Sequence, residues 1–157
     1  MENVNKILNH PKYKKLLNEL NDLEKHREFC NHTIEHFLDV ARISYIFILE
    51  KGLSYSKEIV YTIALLHDIG RVLEYNNGID HHEGSVIIAN ELLEETSFTT
   101  EEKDLIIKAI RDHRKECDDE LSKIIYKSDK LSRNCFNCKA YNECYWDKEK
   151  KNNEITI

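Results

Sequence analysis

An all-α domain is what this sequence predicts, and three observations predict it. Glycine and proline, the residues that punctuate turns, number only 4 and 1 in 157 residues. Apolar residues recur three and four apart along most of the chain, the period of a helix with one buried face. Side chains suited to capping helices stand just ahead of several such stretches.

Taken in order, the first helix begins near Pro11, whose fixed φ suits a first turn, and carries the stripe Tyr13, Leu16, Leu17, Leu20 and Leu23. A second is expected from about His32 to Lys51, with Phe37, Val40, Ile43 and Phe47 on one face and Gly52 as its C-cap. Ser56 caps a third, where Ile59, Ile63 and Leu66 lead directly to His67-Asp68. Asn76-Asn77-Gly78 reads as a loop, followed by a fourth helix through Gly84 to about Glu94. Thr99 or Thr100 caps a fifth, whose Leu105, Ile106, Ala109 and Ile110 run towards His113. A sixth spans about Asp119 to Ser132. The remainder, residues 135–157, is rich in Cys, Asn, Lys and Glu and reads as a small appendage with a fraying end. No repeat or linker divides the chain, so residues 1–134 and this appendage are expected to form one structural unit.

Composition narrows the function. A formal charge of −6 disfavours a polynucleotide partner, which calls for clustered Lys and Arg. A small nucleotide needs only a few local cations. No apolar run approaches the roughly 20 residues that span a bilayer. The start, Met1 to Lys6, lacks the charged-then-apolar pattern of a signal peptide, so the expected location is the cytosol. In that compartment 5 cysteines are expected as thiols or metal ligands, not disulfides.

The placement of histidines and aspartates points to chemistry. His36 opens the apolar face continued by Val40 and Ile43. His67 and Asp68 end an apolar helix, His81 and His82 start the fourth, His113 ends the fifth, and Asp129 lies in the sixth beside Ile125. Any one of these alone is an ordinary core or surface residue. Together, five helices each bring an imidazole or carboxylate to an apolar face, where an unpaired polar group costs several kcal/mol. One shared cation would satisfy them all.

In this order and context the residues resemble the HD phosphohydrolase superfamily. His36-Phe37-Leu38-Asp39-Val40-Ala41 looks like its first metal histidine, and Ala64-Leu65-Leu66-His67-Asp68-Ile69-Gly70-Arg71 like its namesake signature. His81 ahead of Gly84-Ser85, Ile110-Arg111-Asp112-His113, and Tyr126-Lys127-Ser128-Asp129-Lys130-Leu131 resemble the remaining motifs, all within residues 30–133. The resemblance implies an HD-type bundle of five core helices plus a flanking helix. It also implies one metal on His36, His67, Asp68 and Asp129, and a second completed by His81 and His113 with Asp68 bridging. His82 is the alternative to His81, since neighbouring helical positions point about 100° apart. His32, one turn before His36, is read as structural or supporting, and His10 and His26 as surface residues.

Mixed nitrogen and oxygen ligands suit one or two ions of Fe, Mn, Co, Ni or Zn. The expected activity is metal-dependent hydrolysis of a small phosphate ester, a nucleotide above all. Asp68 serves as general base on one ion or as a bridge between two. Arg71, Lys130 and Arg114 are the candidate cations for the substrate's phosphate, with Arg71 and Lys130 also candidate catalytic groups. The alternatives are a mixed-valent di-iron oxygenase of the same fold and a non-catalytic nucleotide or redox sensor. Separately, Cys135-Phe136-Asn137-Cys138 and Cys144 place three thiols in ten residues, with Cys30 or His32 as a fourth ligand and Cys117 set aside among polar neighbours. Their spacing suits zinc or an iron–sulfur cluster.

Overall fold

Capping side chains fix where most of the helices begin. The chain, examined as a computed structural model, is described over residues 1–114 and 118–157; Cys117 lies outside the described residues. Its helices are α1 Glu2–Asn9, α2 Pro11–Leu23, α3 Ile34–Glu50, α4 Lys57–Leu66, α5 Arg71–Asn77, α6 His81–Glu94, α7 Thr100–Asp112 and α8 Glu120–Leu131. The Ile59 N–H donates to Ser56 Oγ at 3.1 Å, and the Ser122 N–H donates to Asp119 Oδ2 at 2.9 Å. Thr99 and Glu102 form a reciprocal capping box, deciding between the two threonines in favour of Thr99.

Helices α3, α4, α6, α7 and α8 make the central bundle. α3 packs against α4 and α8, α4 against α7, and α7 against both α6 and α8. Phe37, Ile63, Leu66, Ile69, Ile106, Ile110 and Ile125 fill the space between them and are fully buried. No helix among the described residues is long and apolar enough to cross a membrane.

Two helices were not anticipated. α1 precedes the Pro11 helix and buries Val4 and Ile7 against α4. α5 follows the His67-Asp68 turn at once, so Asn76 and Asn77 form its last turn and not a loop. Gly78 then ends it in the left-handed region at φ 70°, where a Cβ is disfavoured. Within the Pro11 helix, Tyr13 and Leu20 are buried, but Leu23 faces solvent. Residues 135–157 begin with a 3₁₀ turn, Cys135–Asn137, and fold back on the end of α8. There Asn152 Nδ2 donates to the carbonyls of Lys130 (2.7 Å) and Arg133 (2.8 Å).

Candidate metal centre

Each candidate ligand is aimed by a local backbone device. His67 and His113 stand directly after the last turns of α4 and α7, where each ring folds back on its own helix. His67 Nδ1–H donates to the Ala64 carbonyl at 2.7 Å, and His113 Nδ1–H to the Ile110 carbonyl at 2.6 Å. On α6, His81 Nδ1–H donates to Glu74 Oε1 at 3.2 Å. Ser132 Oγ, which donates to the Asp129 carbonyl at 2.6 Å, accepts from His36 Nδ1–H at 3.0 Å. Carbonyls and carboxylates only accept, so these partners place the proton on Nδ1; the Nε2 lone pairs of His67, His81 and His113 are left free, while that of His36 faces the Arg133 guanidinium at 3.0 Å. Holding the outer ring nitrogen in this way is how proteins orient a metal-binding imidazole.

The Nε2 atoms converge on two carboxylates. His36 Nε2 lies 3.3 Å from Asp129 Oδ1, and His67 Nε2 lies 3.9 Å from Asp129 Oδ1 and 3.5 Å from Asp68 Oδ2. The other Asp68 oxygen, Oδ1, is 3.6 Å from His81 Nε2 and 3.7 Å from His113 Nε2. Two sets result, His36, His67, Asp68 and Asp129, and Asp68, His81 and His113. Within each the ligand atoms lie within 4.8 Å of one another. Among the described residues, His67 Nε2, His81 Nε2, His113 Nε2, Asp68 Oδ1 and Asp129 Oδ1 are buried with no hydrogen-bond partner. Inward lone pairs left this way are costly unless a cation takes them, and the donor set fits a divalent transition metal.

The remaining expected residues divide. Arg71 Nε lies 3.2 Å from Asp68 Oδ1 and its Nη1 donates to Glu74 Oε2 at 3.1 Å, so it borders the centre. Lys130 does not; its ammonium sits 4.0 Å over the Tyr126 ring. Arg114 is exposed. His82 turns outward to Glu83, leaving His81 as the inward member of the pair. His26 is exposed, whereas His10 is half-buried, caps α2 through the Lys12 N–H at 3.2 Å and pairs with Glu95.

Arg133, Glu24 and Tyr75 escaped the sequence reading. Arg133 Nη2 lies 3.0 Å from His36 Nε2 and 3.5 Å from Asp129 Oδ1, making it the cation at that edge. Buried Glu24 accepts from His32 Nδ1–H at 2.7 Å and from the Tyr75 hydroxyl at 3.0 Å. His32 Nε2 is thereby held 3.4 Å from Asp68 Oδ2. His32→Ala is expected to weaken metal binding by about 10–100-fold, as loss of an orienting contact does. Competition with a chromogenic chelator measures it, and an unchanged affinity would deny His32 that role.

Charges in the centre shift accordingly. Burial lowers the pKa of His36 and of His81 to about 4, against the opposing pull of Asp129 and Asp68 respectively. Burial would raise the Asp68 carboxyl, yet His32, His67, His113 and Arg71 hold it well below the usual range. For His67, burial pushes down, but Asp68 and Asp129 outweigh it and the pKa rises. In chelator-stripped protein, the unfolded chain takes up protons below about 6.5 that His36 and His81 refuse until about 4. Their contribution to stability is present above that window and is lost as pH falls through it. The raised His67 acts above the window and does not cancel the loss. The urea midpoint should therefore fall steadily from about pH 6.5 to about pH 4; a flat midpoint would contradict these shifts.

Cys30, Cys135, Cys138 and Cys144 are free thiols that line one small cavity with Phe29, Tyr141 and Trp146. A second cavity of about 270 Å³ reaches from Cys30, Cys135 and Cys138 to His36, Asp39 and Arg133.

Residues 33–134 match the family model of the HD domain. An uncharacterised protein of Clostridium beijerinckii is 43% identical over 155 residues, which is 99% of either chain. The crystal structure of a predicted HD superfamily hydrolase from an uncultured Thermotogales bacterium has a TM-score of 0.63 and 25% identity, covering 90% of this chain and 82% of that one.

Proposed function

The chain belongs to the HD domain family, and from that premise we propose that it hydrolyses a small phosphate ester, of the nucleotide class, with two divalent metal ions. The observation that carries this reading is the division of the Asp68 carboxylate. Oδ2 faces His67, Oδ1 faces His81 and His113, and every one of those imidazoles has its free lone pair turned inward. Asp68 is then the bridge, with His36, His67 and Asp129 on one side and His81 and His113 on the other. Divalent ions bound there lower the pKa of water towards about 7 and draw charge from a phosphoryl oxygen.

The chain's own residues supply the rest. Asp68 is kept ionised by its surroundings, as a carboxylate shared between two cations needs to be. Arg71, braced by Asp68 and Glu74, keeps a fixed positive charge beside that carboxylate, where a phosphate's charge needs an electrostatic partner. Arg133 supplies the second cation, at the mouth that opens on the 270 Å³ cavity. That space suits a small ester, and the net charge of −6 favours one over a polymer.

Chelator-stripped protein reloaded under argon with Mn, Fe, Co, Ni or Zn should release phosphate from at least one member of a panel of nucleotides and aryl phosphates. Release should stop on adding EDTA. No release with any metal would overturn the proposal. Turnover only when oxygen is admitted would place the chain with the di-iron oxygenases instead.

A further inference from the structure

We propose that Cys30, Cys135, Cys138 and Cys144 hold an iron–sulfur cluster whose ligands are distinct from those of the His/Asp centre. All four fall outside the span that matches the HD domain, residues 33–134, so the bundle itself does not call for them. Cys30 comes from the segment between α2 and α3, the other three from beyond α8, yet all four border the same cavity. Convergence of four reduced thiols from two distant stretches of chain is the arrangement a four-thiolate site needs.

The backbone is shaped for it on both sides. Cys30 has φ 44°, the only non-glycine among the described residues in the left-handed region. Such a conformation costs about 1–2 kcal/mol and persists where the surroundings require it. Opposite, the Cys138 N–H donates to the Cys135 carbonyl at 3.1 Å, and the Tyr141 N–H to the Cys138 carbonyl at 3.2 Å. These turns bring both sulfurs of the Cys-x-x-Cys pair to the cavity.

Residues 135–157 also lack another means of holding themselves together. Cys135 is the one fully buried residue in the segment, and the 3₁₀ turn is its only regular element. A stretch with so little apolar burial gains its order from cross-links or a bound metal. Phe29, Tyr141 and Trp146 form part of the cavity's wall. Lys151 lines it, and Arg133 lies near enough to Cys30 to act on its thiol, so positive charge is at hand to offset thiolates.

The cysteine sulfurs do not stand at the spacing a single zinc ion imposes. Tetrahedral zinc with sulfurs at about 2.3 Å draws them to within about 3.8 Å of each other. Among the described residues, the groups whose ligand atoms converge to within 4.8 Å are the two His/Asp sets, and the cysteine sulfurs are not among them. A cluster distributes its thiolates over several irons and holds them farther apart.

The test uses the full chain expressed and purified without oxygen, with Asp68→Asn included to clear iron from the helical centre. Acid-labile sulfide should accompany iron at about four of each per chain, with a broad visible absorption that dithionite bleaches. Cys138→Ser with Cys144→Ser should lose sulfide and the visible band while keeping the far-UV helical signal. If that variant does not fold, iron-edge X-ray absorption on the unaltered protein decides, with iron–sulfur scattering expected, which the nitrogen and oxygen ligands of the helical centre do not give. One zinc per chain without sulfide, cysteines without metal, or sulfide retained in the folded cysteine variant would each overturn the proposal.

Discussion

Asp68→Asn is expected to lower kcat/KM for phosphate-ester hydrolysis by about a thousandfold or more, since several kcal/mol of metal-derived stabilisation depends on this side chain. It should also release both ions. The carboxylate is the one ligand common to the two sets, each of its oxygens facing a different one. An amide of the same shape loses the charge that attracts both cations and presents an NH₂ to one of them. His81→Ala and His113→Ala touch the second set alone and should cost one ion each. Metal per chain, read by elemental analysis alongside phosphate release, distinguishes these outcomes. Asp68→Asn will leave buried Arg71 without its main partner, a loss of roughly 3–5 kcal/mol for a buried pair, so far-UV helicity is measured on the same sample. A folded Asp68→Asn protein that keeps two ions, or activity within tenfold of the parent, would end the bridging role.

What the sequence made legible, and what it hid, follows from the range over which each signal acts. His67, His81 and His113 were readable because caps and apolar periodicity locate the helix ends they occupy, and those signals lie within a few residues. Arg133 was not, and Lys130, next to Asp129 in sequence, stood as the candidate cation there. Lys130, next after Asp129 on α8, is turned about 100° away from it, whereas Arg133 lies past the helix end at Leu131, where only the fold places it. In the structure Arg133 lies on Asp129 and Lys130 over Tyr126.

α1 and α5 were harder. At 8 and 7 residues they are too short to show a full apolar repeat, and neither would persist alone. α1 is held by α4, and α5 by α2 and α6. The bond between Tyr75 and Glu24 spans 51 residues and leaves no local trace. His32 was read as structural or supporting, and only the fold shows that Glu24 aims it at Asp68.

Gly70→Ala is expected to destabilise the protein by more than about 3 kcal/mol, beyond the usual cost of overpacking. A Cβ on Gly70 would stand 2.0 Å from the Ser85 nitrogen, 2.2 Å from the His81 carbonyl oxygen and 2.5 Å from the Gly84 carbonyl carbon. All three are backbone atoms of α6, so no side chain can rotate away; the helix itself must retreat. Gly84 is the matching surface, where a Cβ would meet the Gly70 carbonyl oxygen at 2.8 Å, and Ser85 Oγ closes the crossing by accepting from the Gly70 N–H at 2.9 Å. Gly70 lies two residues after Asp68 and Gly84 three after His81, so the same close approach sets the 3.6 Å between Asp68 and His81. Forcing α6 outward therefore withdraws His81 first, and the second ion should be lost before the first. Gly52→Ala is the control: its φ of 64° carries a strain of about 1–2 kcal/mol, but nothing lies within 4 Å of the added carbon and no ligand is near. Urea midpoints and metal content of the two variants separate backbone collision from backbone strain. A Gly70→Ala protein with the parent's midpoint and both ions would mean that α6 can move without cost, and the glycine pair would have no part in positioning the centre.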